Sequence, residues 1–290
     1  MNKKLRKFFK RQFRNYSRET DRPYDLDHAY SIIMRHAHAP RLDIETDVTP
    51  EVFDQLIQKV ESTWSRLGQE DAHWSVITHE NFRKDLINNH IDDFFIMGEG
   101  DIARVEAALN RVNSSLSEMK SAMDFGCGVG RLSIPLGKRC QHVLGVDISS
   151  THLREAKENI ERERLKNVDL SLIGSVDAIG ELPEFDLVFS ILVLQHNSPP
   201  VILAILKELC SRVKSGGYLY IQTQTYRSNY RYDAESDLED TSMKMAMHVL
   251  PQNIFLQTIQ DAGLILLEVT EDGSAWDLEF RSQVVLAKKR

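Results

Sequence analysis

MDFGCGVGRLSIPLG, residues 123–137, reads as a strand that runs into a glycine-rich turn and then into the start of a helix. The next apolar stretch, HVLGVDISS at 142–150, ends its hydrophobic run on Asp147, 23 residues after Asp124. Two successive strands, each with a carboxylate at or near its end and a glycine turn between them, describe a ligand of nucleotide type. Such a ligand is held over the C-terminal ends of parallel strands.

Outward from that stretch the periodicity predicts strands at 121–125, 142–147, 169–173, 185–191, 217–223, 264–270 and 282–288. Helices are predicted at about 130–139, 150–165, 199–213 and 251–262. Alternation of strands with helices makes an α/β fold: a doubly wound, mainly parallel seven-stranded sheet covered on both faces. Only EDGSAWDLEF separates the last two strands, too little for a crossover helix, so the last strand is antiparallel. Upstream, Pro50 begins an amphipathic helix over 51–67, with Asp47 or Thr49 as its cap. A short helix is expected at 25–38, short helices and loops over Asp71–Gly100, and one more helix over 101–118. The division expected is a basic segment 1–22, a helical cap 23–118, and a ligand-binding domain 119–290 with a lid insertion at 224–250.

The net charge of −7 hides an asymmetry. Residues 1–22 carry nine Lys or Arg against Glu19 and Asp21, so the body is acidic. An acidic body argues against extended nucleic acid as a partner. In the basic segment Leu5, Phe8, Phe9, Phe13 and Tyr16 fall at helical spacing, with cations on the other face. That pattern fits a membrane surface contacted through residues 1–20, a basic helix for RNA or a calmodulin-like partner, or a helix packed on the acidic body. Cys127, Cys140 and Cys210 show no metal-ligand spacing, and no Asp/Glu/His cluster specifies a metal. A reducing cytoplasm is the compartment expected, with membrane association through the basic segment.

In D-x-G-x-G-x-G, Gly126 and Gly128 reach backbone angles that side chains forbid, and Gly130 permits close packing at the helix start. A dinucleotide site runs G-x-G-x-x-G and places a pyrophosphate on the helix terminus. Here Asp124 stands just ahead of the turn, where its carboxylate repels phosphate and suits a cationic or amino-bearing ligand. This distinguishes NAD from S-adenosylmethionine, which has an ammonium, a sulfonium and no phosphate. Asp147 at its strand end suits hydrogen bonds from two ribose hydroxyls; the competing role is a helix cap, for which Ser149 and Ser150 are better placed.

These two segments resemble the first two motifs of class I S-adenosylmethionine-dependent methyltransferases. GSVDAIGELPEFDLVFS (174–190), ILVLQH (191–196) and LCSRVKSGGYLYIQ (209–222) resemble later motifs of that family in the right order, with Ser215 in place of the usual proline. The resemblance spans roughly 119–289. It implies a Rossmann-like fold, S-adenosyl-L-methionine as cofactor, and transferase activity. By position it implies that Gly126, Cys127 and Gly128 line the methionine part, that Asp124 orders the turn, and that Ile148 covers one adenine face. Val176 and Asp177 then lie by the adenine edge, with Ser175 where many relatives show Asp, and Ser190 and Ile191 lie under the methionine part.

For the acceptor side, His196 follows the fourth strand and is the candidate base, or else part of a polar turn ahead of Ser198-Pro199-Pro200. Asn197 is placed to orient substrate, and His248 is a second candidate base. Tyr226, Tyr230 and Arg231 in the lid, with Trp74 and His79 in the cap, are candidate acceptor contacts; helical core is the alternative for the cap aromatics. A substantial cap and lid suit an enclosed acceptor, a small molecule, a sugar or a lipid-linked saccharide, and O-methylation by in-line transfer. N-methylation of a small amine, and a cofactor-binding partner protein without turnover, are the alternatives. ILVLQHNSPP lacks the Asn/Asp-Pro-Pro-aromatic signature of amino-group methylation in nucleic acid.

Overall fold

The computed structural model describes residues 34, 38–242, 244–272 and 279–290. The basic segment 1–22 and all of 25–38 except residues 34 and 38 lie outside them. In chain order the elements are β1 (Asp43–Ile44), α1 (Pro50–Val76), α2 (Ile87–Arg111), β2 (Ala122–Phe125), α3 (Ser133–Gly137), β3 (Val143–Asp147), α4 (Ser150–Arg162) and β4 (Val168–Leu172). Then follow α5 (Asp177–Gly180), β5 (Phe185–Ser190), α6 (Pro199–Ser211), β6 (Val213–Arg227), β7 (Arg231–Tyr232), α7 (Ala234–Glu239), α8 (Gln252–Asp261), β8 (Leu264–Asp272) and β9 (Phe280–Lys289).

Seven strands form one sheet in the order β4-β3-β2-β5-β6-β9-β8. The pairs from β4 through to β6 are parallel, while β9 runs antiparallel to both β6 and β8. The chain starts at the middle of the sheet, winds outward to β4, then returns past β2 to β5. The ends of β2 and β5 are therefore adjacent where the order reverses, and that reversal leaves a crevice above the strand ends. The Lys214–Gly217 turn before the fifth parallel strand is an irregularity inside β6: Val213 pairs with Phe185, and pairing resumes at Tyr218 with Leu187.

Both sheet faces are covered. One layer buries Met123, Val188, Leu206, Phe255 and Val285, the other Leu109, Leu136, Val143, Phe189 and Leu286. The cap differs from its sequence pattern. Of the stretch expected as short helices and loops from Asp71 to Gly100, residues 71–76 end α1 and 87–100 begin α2, while 77–86 between them are loop with a short turn at Glu80–Phe82. Aromatic residues there looked irregular because they serve two partners at once. Phe82 and Phe94 pack edge to face on each other and on Val129 of the glycine-rich turn. The helix expected over 101–118 is the second half of α2, and α3 is a single short turn.

The close fit of the cap rests on Gly68 in α1. A Cβ at that position would stand 2.2 Å from Thr151 Oγ1 and 2.7 Å from His152 Nδ1, both on α4. Farther along, β1 pairs in parallel with β7, so the chain near Asp43 is stitched to the segment expected as a lid. The Glu45 carboxylate accepts from Ala234 N–H at 2.9 Å.

Candidate functional site

A cavity opens above the ends of β2, β3 and β5. Its floor is the glycine-rich turn, where Gly126 and Gly128 adopt φ of 76° and 53°. Positive φ favours glycine, so at these two positions the turn itself carries no side chain. At its edge Asp147 clamps two elements: Oδ2 accepts from Gly128 N–H at 2.8 Å and Oδ1 from Ser149 N–H at 2.9 Å. A carboxylate has about four acceptor sites, so each oxygen retains capacity for a further donor. Ile148, Ile173, Val176 and Ile179 form an apolar slot beside it. Hydroxyl-accepting carboxylate, apolar slot and bare backbone together fit a nucleoside without phosphate.

Arg131 also lines this cavity. Its side chain is 2% exposed, its Nη1 pairs with Asp101 from the cap, and its Nε has no partner. Asp124 lies directly beneath, 1% exposed, accepting from Ser133 Oγ at 2.6 Å. Burial raises its pKa to about 6, against the opposing pull of Ser133 and Arg131. Burial likewise pushes the Cys127 thiol well above its ordinary value, so this residue is a small neutral wall of the cavity.

The cap closes the cavity from above. At Asp71 the helical path of α1 breaks (φ −162°, ψ 81°), and the Asp71 carboxylate receives the N–H groups of Trp74 at 3.4 Å and Lys84 at 3.1 Å. The last turn of α1 is thereby redirected over the glycine-rich loop. Val76 covers Gly128, where a Cβ would approach it to 2.8 Å. Ser75 Oγ donates to Ala72 C=O at 2.9 Å and lies 2.8 Å from His152 Nε2. With the serine proton committed to a carbonyl, Nε2 of His152 is the donor. Burial lowers the pKa of His152, so the ring is neutral, and Nδ1 is left without a partner.

A second cavity adjoins the first. Trp64 and Val60 of α1 line both. It also contains His196, His248, Lys59, Asp237 and Met245. His196 Nδ1 lies 3.0 Å from Ala246 C=O. A carbonyl only accepts, so Nδ1 carries the proton and neutral His196 presents an unprotonated Nε2. Burial lowers its pKa and favours that neutral form, while the Ala246 bond opposes. The Trp64 ring meets His196 edge-on, with centroids 5.3 Å apart. His248 bonds through Nδ1 to the Tyr230 hydroxyl at 2.9 Å, and burial lowers its pKa to about 4. Lys59 Nζ donates to Asp237 Oδ1 at 2.7 Å, and the Tyr232 hydroxyl donates to Oδ2 at 3.0 Å.

Of the residues predicted for the cofactor, Gly126, Cys127, Gly128, Asp147, Ile148, Val176 and Ile191 line the first cavity. Asp124, Gly130, Asp177 and Ser190 do not. Ser190 Oγ donates to Phe125 C=O at 3.0 Å, Gly130 packs near Ala156, and Asp177 is exposed at the start of α5. Among the acceptor candidates, Asn197 lines the first cavity and donates to Val193 C=O at 3.1 Å, and His196 and His248 share the second. Tyr230 reaches that site through His248. Trp74, His79, Tyr226 and Arg231 line neither cavity. Trp74 lies under the Arg83 guanidinium at 3.7 Å, and His79 caps the turn at Glu80–Phe82. Sequence reading missed Trp64, Ser75, Val76, Arg131 and His152. Trp64 sits in an amphipathic pattern indistinguishable from core, and Arg131 follows the turn as an ordinary-looking cation. Among the described residues no group of three His, Cys, Asp or Glu is arranged to hold a metal, and no helix is long and apolar enough to cross a membrane.

Residues 122–217 match the family model described as a methyltransferase domain. The chain is 29% identical over 202 residues to ribosomal protein L11 methyltransferase of Burkholderia multivorans, covering 66% of this chain and 62% of that relative. It thus spans less than two thirds of that protein's length. It is 29% identical over 105 residues to ubiquinone biosynthesis O-methyltransferase of Acinetobacter baylyi, covering 36% and 43% of the two chains. The fold is shared with magnesium protoporphyrin IX methyltransferase from Synechocystis, solved with S-adenosylhomocysteine bound. There the TM-score is 0.57 at 18% identity, over 80% of this chain and 99% of that one. The names of these relatives span different classes of acceptor and select none for this chain.

Proposed function

We propose that this chain, a class I S-adenosylmethionine-dependent methyltransferase by its domain at 122–217, methylates the hydroxyl of a small acceptor. The observation that carries the reading is His196: its Nδ1–H is tied to Ala246 C=O at 3.0 Å, which leaves Nε2 as a proton acceptor in a cavity sharing a wall with the first.

The residues that would hold the cofactor are Asp147 for the ribose hydroxyls and the Ile148, Ile173, Val176 and Ile179 slot for the adenine. The Gly126–Gly128 backbone with Arg131 serves the amino-acid end. When bound, S-adenosylmethionine supplies an electrophilic methyl carbon: the acceptor oxygen forms the new O–C bond while the electrons of the S–C bond remain on sulfur. His196 Nε2 takes the hydroxyl proton and passes it to solvent. Its neutral state near pH 7 follows from a pKa held below the ordinary value by burial. Positioned general bases contribute about 10²–10⁴-fold. Val76 and Ser75 exclude water over the glycine-rich loop.

N-methylation of an amine finds less support. Asp237 is the carboxylate of the second cavity, and it is already engaged by Lys59 and Tyr232. The test is turnover with isotopically labelled donor and a pooled small-molecule extract, for wild type and His196→Gln. Labelled ethers lost in the variant support the reading; labelled amines formed equally by both overturn it. The aromatic and basic spacing within residues 1–20 supports a place at a membrane surface, near lipid-linked acceptors. Vesicle flotation unchanged by deleting 1–20 would refute that part.

A further inference from the structure

Beside the Lys59–Asp237 pair, the polar groups of the second cavity include His196 Nε2, the buried Ser198 Oγ, which has no hydrogen-bond partner, and the exposed Lys244. Lys59 and Asp237 satisfy each other at 2.7 Å, with Tyr232 completing the carboxylate. Leu56, Val60, Trp64 and Met245 give the cavity an apolar wall facing the same space as His196. The Trp64 indole stands between the two cavities with its edge geometry to His196 fixed at 5.3 Å. Aromatic rings favour such edge contacts with another ring.

Resting on the O-methylation reading, we infer that the second cavity is the acceptor subsite and that it takes a ring-bearing acceptor without an ammonium group and with an acidic hydroxyl, a phenol or enol. The ring packs against Trp64 and the hydroxyl donates to His196 Nε2. Asp237 is the lining carboxylate and is engaged by Lys59 and Tyr232, so an ammonium group would arrive without a free partner. The base also limits the hydroxyl. A phenol ionises near pH 10, so its proton reaches an imidazole across roughly four powers of ten. A hydroxyl as weakly acidic as water would face roughly nine or more. A histidine whose basicity is lowered by burial is matched to the first class and poorly matched to sugar hydroxyls. In the transfer the O–H bond breaks and its proton goes to Nε2, while the oxygen pair would form the bond to the methyl carbon as the donor's S–C bond breaks with its electrons on sulfur, leaving S-adenosylhomocysteine.

The test uses the full chain with phenol, cyclohexanol and aniline, three probes of one ring size. Binding is read from tryptophan emission in the presence of S-adenosylhomocysteine, and transfer from labelled methyl ether formed with S-adenosylmethionine. Phenol is expected to bind at least tenfold tighter than the other two and to be methylated at least a hundredfold faster than cyclohexanol. Trp64→Phe should abolish the emission response while retaining the ring, and His196→Gln should weaken phenol binding severalfold in a folded protein. Equal binding of the three probes, or phenol binding unchanged in both variants, overturns the inference. Cyclohexanol methylated as fast as phenol also overturns it, and leaves O-methylation standing. Selective phenol binding at Trp64 without any ether formed leaves the subsite standing and overturns O-methylation.

Discussion

Gly68→Ala places two physical effects in direct opposition. Gly68 lies within α1, where alanine is favoured over glycine by about 1 kcal/mol. Helix propensity alone therefore predicts a more stable protein. The packing predicts the reverse. The new Cβ would stand 2.2 Å from Thr151 Oγ1, more than an ångström inside ordinary contact, and 2.7 Å from His152 Nδ1. Neither neighbour moves freely. Thr151 is hydrogen-bonded to Ser149 at 2.8 Å and His152 to Ser75 at 2.8 Å, and both side chains are buried. Parting α1 from α4 loses the Ser75–His152 bond at about 1 kcal/mol, on top of an overpacking cost of about 1–3 kcal/mol. The net expectation is a loss of about 2 kcal/mol. Cofactor affinity falls with it, because His152, Ser75 and Val76 line the first cavity. Urea unfolding gives the stability, and calorimetric titration with S-adenosylhomocysteine the affinity. Thr151→Ala in the same chain should recover part of the loss, since contacting sites are coupled. A Gly68→Ala protein more stable than wild type by about 1 kcal/mol, with unchanged affinity, would show that the cap does not dock as described.

Other outcomes follow from the site. Asp147→Asn keeps one acceptor for two backbone N–H groups, Gly128 at 2.8 Å and Ser149 at 2.9 Å. It should cost about 1–3 kcal/mol in stability and weaken cofactor binding more than tenfold by calorimetry; wild-type affinity would remove the ribose assignment. For His196, turnover should rise with pH through a base titrating below the ordinary histidine value, and His196→Gln should remove that limb and lower kcat roughly 100-fold. Acid should destabilise the fold through His73 and His248, both held near pKa 4 by burial. The unfolded chain binds more protons between about pH 6.5 and 4, so stability is lost as pH falls through that window, by about 3 kcal/mol per histidine. Asp124, raised to about 6, acts with the opposite sign: its contribution is present at low pH and is lost as pH rises through 6. His73→Phe should flatten the acid limb of a pH–urea stability series; an unchanged limb would contradict the burial of His73.

The sheet was legible because parallel strands buried on both faces read as short apolar runs between helices, and the glycine turn and Asp147 have local causes. The position of Asp147 at a strand end, from which a ligand-facing role is expected, is visible without any tertiary contact. The clamp it forms on Gly128 and Ser149 was not legible, because a strand-end carboxylate can reach either a ligand or the backbone. The cap was harder. Trp64 has the spacing of a core residue, and only the tertiary fold turns it toward two cavities at once. The Trp74 ring, an attractive acceptor contact by type, is occupied by Arg83 at 3.7 Å. Histidines followed the same logic: His196 and His248 lie 52 positions apart and meet because His248 N–H bonds to Gln195 C=O at 2.7 Å.

The pairing of β1 with β7 joins chain positions nearly two hundred residues apart, and the Glu45–Ala234 and Lys59–Asp237 contacts repeat the join. Both partners lie outside residues 122–217, the part held in common with the methyltransferase domain. The segment 224–250 is thus not a cassette that stands apart from the N-terminal arm. A chimera that receives the lid of a related enzyme without its matching N-terminal arm would assemble the shared domain and leave the seam unmatched. Transplanting either segment into or out of this scaffold requires moving both together.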